Sequence, residues 1–441
     1  MSGISTKLLQ AAAVREVVSS WIALLGGTGA DIGNAVAIDS ANNIIVVGQT
    51  SSDGAGGTDF LIAKYNSAGA LQWDRTLGGT GTDIGRAVAI DSANNIIVTG
   101  YTASDGAGGA DVLIAKYNSA GALQWDRTLG GTGTDLGNAV AIDSANNIIV
   151  VGYTTSDGAG GTDLLIAKYN SAGALQWDRT LGGTGADIGN AVAIDSADNI
   201  IVVGYTTSDG AGGTDFLIAK YNSAGALQWD RTLGGTGTDL GRAVAIDSAN
   251  NIIVTGQTSS DGAGGNDFLI AKYNSAGALQ WDRTLGGTGT DIGNAVAIDS
   301  ANNIIVVGYT TSDGAGGDDL LIAKYNSAGA LQWDRTLGGT GAERGNAVAI
   351  DSADNIIVTG QTSSDGAGGN DFLIAKLPPD GSGTGTYGSF TYEAAVLTDA
   401  PAVLTDALDV LTDAPAVLTD VVAVLTDAPA VLTEELIDIT L

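Results

Sequence analysis

The sequence holds no cysteine and no histidine. Disulfides, thiolate nucleophiles, Cys or His metal sites and any Ser-His-Asp or Cys-His machinery are thereby excluded. The redox compartment stays open, because a chain without disulfides survives inside or outside a cell. Basic residues are scarce: 18 Lys and Arg stand against 49 Asp and Glu, a formal charge of −31. Nucleic acid and anionic membranes are met with Lys and Arg stripes, so neither is an expected partner. No run reaches the roughly 18 apolar residues of a membrane span. The apolar stretch near the start, Leu8 to Val14, is followed at once by Arg15 and Glu16. It is too short and too charged for a secretory signal and reads better as an amphipathic docking segment over residues 1–19.

Against these absences stands one strong regularity. Seven tryptophans, Trp21, Trp73, Trp125, Trp177, Trp229, Trp281 and Trp333, recur at a constant interval of 52 residues. A fixed period of this length marks a repeat architecture. Within one period, Ala87-Val88-Ala89-Ile90-Asp91, Ile96-Ile97-Val98-Thr99-Gly100-Tyr101, Asp111 to Tyr117 and Ala122 to Leu129 read as four short strands separated by Gly- and Asn-rich turns. The first two are apolar on consecutive positions, as in strands covered on both faces. The fourth alternates Leu123, Trp125, Arg127 and Leu129 with polar residues, which implies one covered and one wet face. Inner strands packed between neighbours and an outer strand at the rim describe a propeller blade. The rival, a solenoid, would need an unusually long coil.

The core Ala-Val-Ala-Ile-Asp of the first strand occurs seven times, from Ala35 to Ala347. The Trp21 strand precedes all of these, and Asp371 to Lys376 has no Trp strand after it. The Trp21 strand is therefore expected to complete the seventh blade and turn an open arc into a ring without exposed edges. The fold class expected is all-β: a closed seven-bladed β-propeller of four-stranded blades over residues 20–379. The string Gly-Gly-Thr-Gly-Thr-Asp-Ile-Gly-Asn-Ala-Val-Ala-Ile-Asp-Ser-Ala-Asn-Asn-Ile-Ile-Val-Val-Gly-Tyr-Thr resembles the seven-bladed β-propeller repeat of bacterial SBBP proteins. That resemblance implies a surface or structural role and names no site. The opening Ile4 to Ala13 resembles the start of marine phage structural proteins with such repeats.

Three series of residues are candidates for chemistry. Asp31, Asp83, Asp135, Asp187, Asp239, Asp291 and Glu343 end the Gly-Gly-x-Gly-x-Asp loop of each repeat. Placed before the innermost strands, they are expected to ring one mouth of the central channel, where seven acids could gather a hard cation such as Ca²⁺. The alternative is that they cap turns. Asp53, Asp105, Asp157, Asp209, Asp261, Asp313 and Asp365 each precede a second aspartate by six residues, as in Asp53 and Asp59. Seven equivalent loops cannot push two carboxylates into the distinct environments that acid–base catalysis needs, so an enzyme is not expected. Differences among repeats cluster in the loops of one face. One variable series is Gln49, Tyr101, Tyr153, Tyr205, Gln257, Tyr309 and Gln361. Another is Asn34, Arg86, Asn138, Asn190, Arg242, Asn294 and Asn346. The Tyr and Gln series with the Asp53 series forms a sugar-compatible set on a candidate binding face, and repetition would add avidity.

After Lys376 there is no Lys or Arg. Gly388 to Glu393 reads as a further strand, laid on the seventh blade's rim, where Ile22 and Ala23 replace the Asp-Arg of other repeats. From Ala395 the chain repeats Ala-Val-Leu-Thr-Asp-Ala-Pro, with Pro401, Pro415 and Pro429 every 14 residues. Interior prolines cost a helix about 3 kcal/mol each, so strand and turn alternation is expected. Residues 380–441 are thus read as an oligomerising or anchoring tail whose apolar strands are covered by other copies, a trimer being one option. The expected function is a non-enzymatic structural or adhesive protein of a virion, fibre or other extracellular surface. Its partners would be other structural proteins or surface glycans. The alternative is a secreted multivalent carbohydrate-binding lectin.

Overall fold

A computed structural model describes residues 20–366, 369–408, 411–416, 418–421, 423, 425–430 and 432–439. The docking segment expected at 1–19 lies outside the described residues. Every regular element among those described is a strand. Seven antiparallel sheets stand around a central channel. In the first blade the innermost strand Asp31–Ile38 pairs with Ile44–Thr50, then Asp59–Tyr65, then Leu71–Gly78. The same set recurs at each repeat. The seventh blade contains Glu343–Ile350, Ile356–Thr362 and Asp371–Leu377, and takes its fourth strand, Ser20–Gly26, from the start of the chain. Trp21 lies opposite Lys376 and Leu25 opposite Phe372. The ring closes as expected: Asp31 N–H donates to Asn370 O at 2.8 Å and Asn42 Nδ2 donates to Ser352 Oγ at 2.7 Å across the seam.

The core lies between blades. Ile45, Val47, Phe60 and Ile62 of the first blade pack on Ile96, Val98, Leu113 and Ala115 of the second, all buried. The tryptophans belong to these seams. The turn at Gly69 has φ +85°, and a Cβ there would lie 2.8 Å from the Trp21 ring. The same glycine–tryptophan contact recurs to Gly381 on Trp333, so Pro378-Pro379-Asp380-Gly381 stands in for the Asn-Ser-Ala-Gly turn of the other blades. In the other turn of the same face, Asn42 and its equivalents adopt φ near 60°. Asn and Asp enter that left-handed region most readily among residues other than glycine, which explains why Asp198 and Asp354 are the replacements found there. Each blade also buries one ion pair, as Lys64 Nζ to Asp39 Oδ2 at 2.9 Å. Burial alone would raise the Asp39 pKa, but hydrogen bonds from Asn43 and Lys64 outweigh it and hold the group below its usual value.

The tail adds to the blades and changes where some of its strands were expected to lie. Each blade keeps its four strands, and the tail adds one outer strand to six of them and two to the sixth blade. Thr398–Pro401 pairs with the fifth blade, Thr405–Leu408 with the fourth, Thr412–Pro415 with the third, Thr419–Val421 with the second and Thr426–Ala428 with the first. Thr433–Ile439 then pairs with Ser20–Gly26. The chain therefore circles the ring a second time, in the direction opposite to the first, one heptad per blade. Seven extended residues reach about 23 Å, enough to step from one outer edge to the next. The belt leucines Leu397, Leu404 and Leu411 pack into the seams of their own chain, while Val396, Val403 and Leu408 stay exposed. The strand Phe390–Ala394 lies on the sixth blade, where Arg335 faces Ala394, rather than on the seventh. The seventh rim, with Ile22 fully buried, is covered by Thr433–Ile439 instead. The wet face expected of the fourth strand is likewise lost where the belt crosses it, with Thr128 1% exposed. Prolines at Pro401 and Pro415 end their pairings. A residue without N–H is tolerated there because the belt is the outermost strand, and it blunts the new edge.

Candidate functional site: the central channel mouth

Each innermost strand carries a β-bulge at one place, between Gly33 and Ala35 in the first blade. The residue at the bulge is Asn34, and its equivalents are Arg86, Asn138, Asn190, Arg242, Asn294 and Asn346. A bulge adds one residue and re-aims its side chain. Here all seven line one cavity of about 360 Å³ in the channel, together with Gln49 and Ile84. The five asparagines tie the ring together, each donating Nδ2 to a glycine carbonyl of the next blade. Asn34 reaches Gly85 O at 2.7 Å, Asn190 reaches Gly241 O at 2.7 Å, and Asn346 reaches Gly33 O at 2.8 Å across the closure. The two arginines do otherwise. Arg86 Nη1 donates to Asn138 Oδ1 at 2.5 Å, with its guanidinium 5.1 Å from the Tyr101 ring. Arg242 Nη2 donates to Gln257 Oε1 at 2.8 Å. Burial lowers the Arg242 pKa from its usual value, with Tyr309 and Tyr205 nearby acting the other way.

The Tyr and Gln series belongs to this mouth. Gln49 lines the cavity, Tyr101 lies under Arg86, and Arg344 lies 4.7 Å over the Tyr309 ring. Tyr101, Tyr153, Tyr205, Tyr309, Gln49 and Gln361 are half-buried, and Gln257 is buried. Burial raises the pKa of Tyr153 and Tyr205. Gln49 and, through the arginines that they touch, Tyr101 and Gln257 are thus brought to one opening.

The two acidic series go elsewhere. Asp31, Asp83, Asp135, Asp187, Asp239, Asp291 and Glu343 are fully buried and do not ring the channel mouth. Asp31 Oδ2 accepts from Gly27 N–H at 2.8 Å and from Ser52 Oγ at 2.7 Å; Asp135 accepts from Gly131 N–H, Ser156 Oγ and Thr154 Oγ1. They cap the glycine loop, because a short side chain six residues into a tight crossover reaches its unpaired N–H groups before it reaches solvent. Among the described residues no group of three or more His, Cys, Asp or Glu side chains converges as a metal site. In the Asp53 series, Asp261 Oδ2 accepts from Val403 N–H at 2.7 Å, Asp313 Oδ2 from Val396 N–H at 2.6 Å, and Asp365 Oδ2 from Ser389 Oγ at 2.8 Å. These three clasp the C-terminal segment as it crosses from blade to blade.

Sequence reasoning missed two groups. The ring of Asn34 equivalents was visible as variation but not as a channel lining, since a bulge leaves no composition signal beyond the recurrent Gly-x-Ala. The second aspartate of each loop, Asp59 and its equivalents, is buried beneath glycines: a Cβ on Gly78 would lie 1.8 Å from Asp59 Oδ1 and 2.9 Å from Asp83 Oδ2. Burial first, and then the neighbouring Asp83, push the Asp59 pKa up to about 6 against hydrogen bonds from Gly56 and Ala55.

Comparison with known proteins agrees with this architecture. Residues 20–54 match the SBBP β-propeller repeat, and residues 42–71, 146–175, 197–227 and 353–383 match a β-propeller domain of unknown function, DUF5122. An uncharacterized WD repeat-containing protein, L264, of Acanthamoeba polyphaga mimivirus is 24% identical over 77% of this chain and 36% of its own. The regulatory protein FlaEY of Caulobacter vibrioides is 28% identical over 44% of this chain and 24% of its own. The chain thus spans about a third and a quarter of the length of these relatives. The crystal structure of the polysaccharide lyase Uly1 superposes with a TM-score of 0.46 at 9% identity, covering 79% of this chain and 90% of that one. The blades and the closed ring make the chain a seven-bladed β-propeller, and its residues 20–54 match the SBBP repeat.

Proposed function

We propose that the protein is a non-enzymatic structural or adhesive surface protein, at an extracellular or virion surface, that attaches through the loop face around the channel mouth. The observation that carries this reading is the meeting of two variable series at one opening, which is lined by Asn34 and its six equivalents together with Gln49. A rigid ring with one composite polar mouth suits recognition. Acid–base catalysis would need two carboxylates in different environments at that mouth, and Asp31 and its equivalents are buried in their own loops. The mimivirus relative is virus-encoded, which fits a virion component. Tyrosines beside amides favour a glycan surface as the target, since rings stack on sugar faces and amides match hydroxyls. The test is retention of the full chain on a panel of immobilised glycans, with Tyr101→Ala, Tyr153→Ala and Tyr205→Ala as variants. Retention that falls in these variants is the expected result. A chain that turns over a glycan substrate, or that is retained by none, would overturn the reading.

A further inference from the structure

We propose that the channel mouth binds a hydroxylated dianion, an acidic disaccharide in size and chemistry, through Arg86 and Arg242. This deepens the adhesive reading by naming the ligand class. The argument begins with the cations. All seven blade lysines, from Lys64 to Lys376, are paired with buried aspartates. Arg179, Arg231 and Arg283 pair with belt aspartates, Arg344 pairs with Asp318, and Arg75, Arg127 and Arg335, on the outer strands, lie in the fields of Asp427, Asp420 and Asp334. Arg86 and Arg242 contact only neutral amides, Asn138 and Gln257, through their guanidinium N–H groups. In a chain of charge −31, two guanidiniums facing a cavity and met by no carboxylate among the described residues stand apart.

Their positions also break a structural rule of this ring. Asparagine at the bulge donates across the seam to the next blade's glycine carbonyl, and five blades keep that bond. Arginine forgoes it in the second and fifth blades. In the fifth it also carries a desolvated charge, with Arg242 Nε buried and lacking a hydrogen-bond partner. A residue that breaks a local rule at a cost to the frame marks a functional site. The two arginines lie three blades apart one way around the ring and four the other, so they approach the cavity from opposed sides. A guanidinium fork pairs with a carboxylate in two parallel bonds. Two such forks facing across the opening suit a ligand with an acidic group at each end, and the asparagine ring between them suits hydroxyls. The cavity of about 360 Å³ is of the size that small ligands occupy.

Titration calorimetry with digalacturonate, with neutral lactose as the comparison, tests this on the full chain. Digalacturonate is expected to bind, more weakly as salt rises, and lactose to bind at least tenfold more weakly. Arg86→Asn and Arg242→Asn restore the residue of the other five blades, so both variants are expected to fold with a melting temperature equal to or above the parent's. Each should lose at least tenfold in affinity, and the double variant should lose binding. Digalacturonate that fails to bind the parent, or binds the double variant as tightly, overturns the proposal. The adhesive reading is separately decided: a double variant still retained on glycan surfaces leaves it standing, and a parent that binds digalacturonate but attaches to no surface removes it alone.

Discussion

The Tyr325 hydroxyl of the sixth blade donates to Asp399 Oδ1 of the belt at 3.0 Å, while the other oxygen of Asp399 lies 3.7 Å from Arg283 of the fifth blade. One belt carboxylate thus bridges two blades. Asp406 does the same with Tyr273 and Arg231, and Asp413 with Tyr221 and Arg179. The belt leucines follow the same seams: Leu397, Leu404 and Leu411 lie over Gly287, Gly235 and Gly183, and Leu404 joins the cluster of Trp229 and Val244. The heptad is therefore a repeated fastener between blades.

Tyr325→Phe removes one hydrogen bond and leaves a half-buried carboxylate less satisfied. A loss of about 1 kcal/mol is expected, read as a lower urea midpoint with unchanged slope. Leu404→Ala, which removes partly buried apolar surface from the same kind of seam, is expected to cost about 1–2 kcal/mol.

Removing residues 395–441 tests the belt as a whole. It would bare the outer strands of six blades, leaving the sixth covered by Phe390–Ala394. Unpaired strand edges template aggregation, so the truncated chain is expected to melt lower and to form larger particles on size analysis. A tail that served assembly of copies would give the opposite outcome, a smaller and still soluble particle.

Much of this frame was legible, and the reasons are local. A period of 52 residues and the orphan Trp21 strand sufficed for the ring and its closure, because a blade's patterning is contained within one repeat. The belt was not legible, since Thr398 to Pro401 pairs with residues more than a hundred positions away and a heptad carries no mark of its partner. Ile22 and Ala23 did signal a covered rim, but not which strand covers it. Asp31 illustrates the limit for the site: an aspartate before an inner strand reads the same whether it faces a channel or turns into its own loop. Arg344 and Asp318 lie 26 residues apart in the chain, and only the fold places them in one seam.

Stability should be greatest in mildly acid solution. Asp59, Asp111, Asp163, Asp215 and Asp319 are raised to about 6, first by burial and also by neighbouring carboxylates. The folded state holds these protons more tightly than the unfolded chain, so their stabilisation is complete below the ordinary value of 3.8 and is lost as pH rises through about 6. Asp39 and its six equivalents are lowered, so their contribution is present above 3.8 and is lost as pH falls through the lowered folded value. The melting temperature is expected to rise between pH 8 and pH 5 and to fall again below pH 3.8. A melting temperature that climbs steadily from pH 5 to pH 8 would contradict the buried carboxylate pairs.

Gly69→Ala places a Cβ at φ +85°, 2.8 Å from the Trp21 ring. The left-handed backbone costs about 1 kcal/mol for a residue with a side chain, and the indole must shift as well. A loss of roughly 2–3 kcal/mol is expected, with a change in tryptophan fluorescence. Gly160→Ala is the control, because nothing lies within 4 Å of its Cβ, and at φ +117° it bears the backbone cost alone. A drop in stability as large in the control would show that the indole contact contributes nothing.

Arg344 and Asp318 are the two positions where the last blades depart furthest from the repeat, and they meet: Arg344 Nε donates to Asp318 Oδ2 at 2.5 Å across the seam between the sixth and seventh blades. Elsewhere these positions hold Ile or Leu and Thr, Ala or Asn. The Asp318 side chain is 16% exposed and that of Arg344 is 43% exposed, so solvent screens the pair and a coupling of about 0.5–1 kcal/mol is expected. Arg344→Ile alone leaves a mostly buried carboxylate unpaired and should destabilise the chain. Asp318→Thr alone should cost less, because the guanidinium can turn to water and keeps its stack on Tyr309. The double variant restores the residues of the neighbouring blades and should recover most of the loss. A double-mutant cycle by chemical denaturation reads the coupling directly, and strict additivity of the two single effects would mean that the two irregularities arose independently.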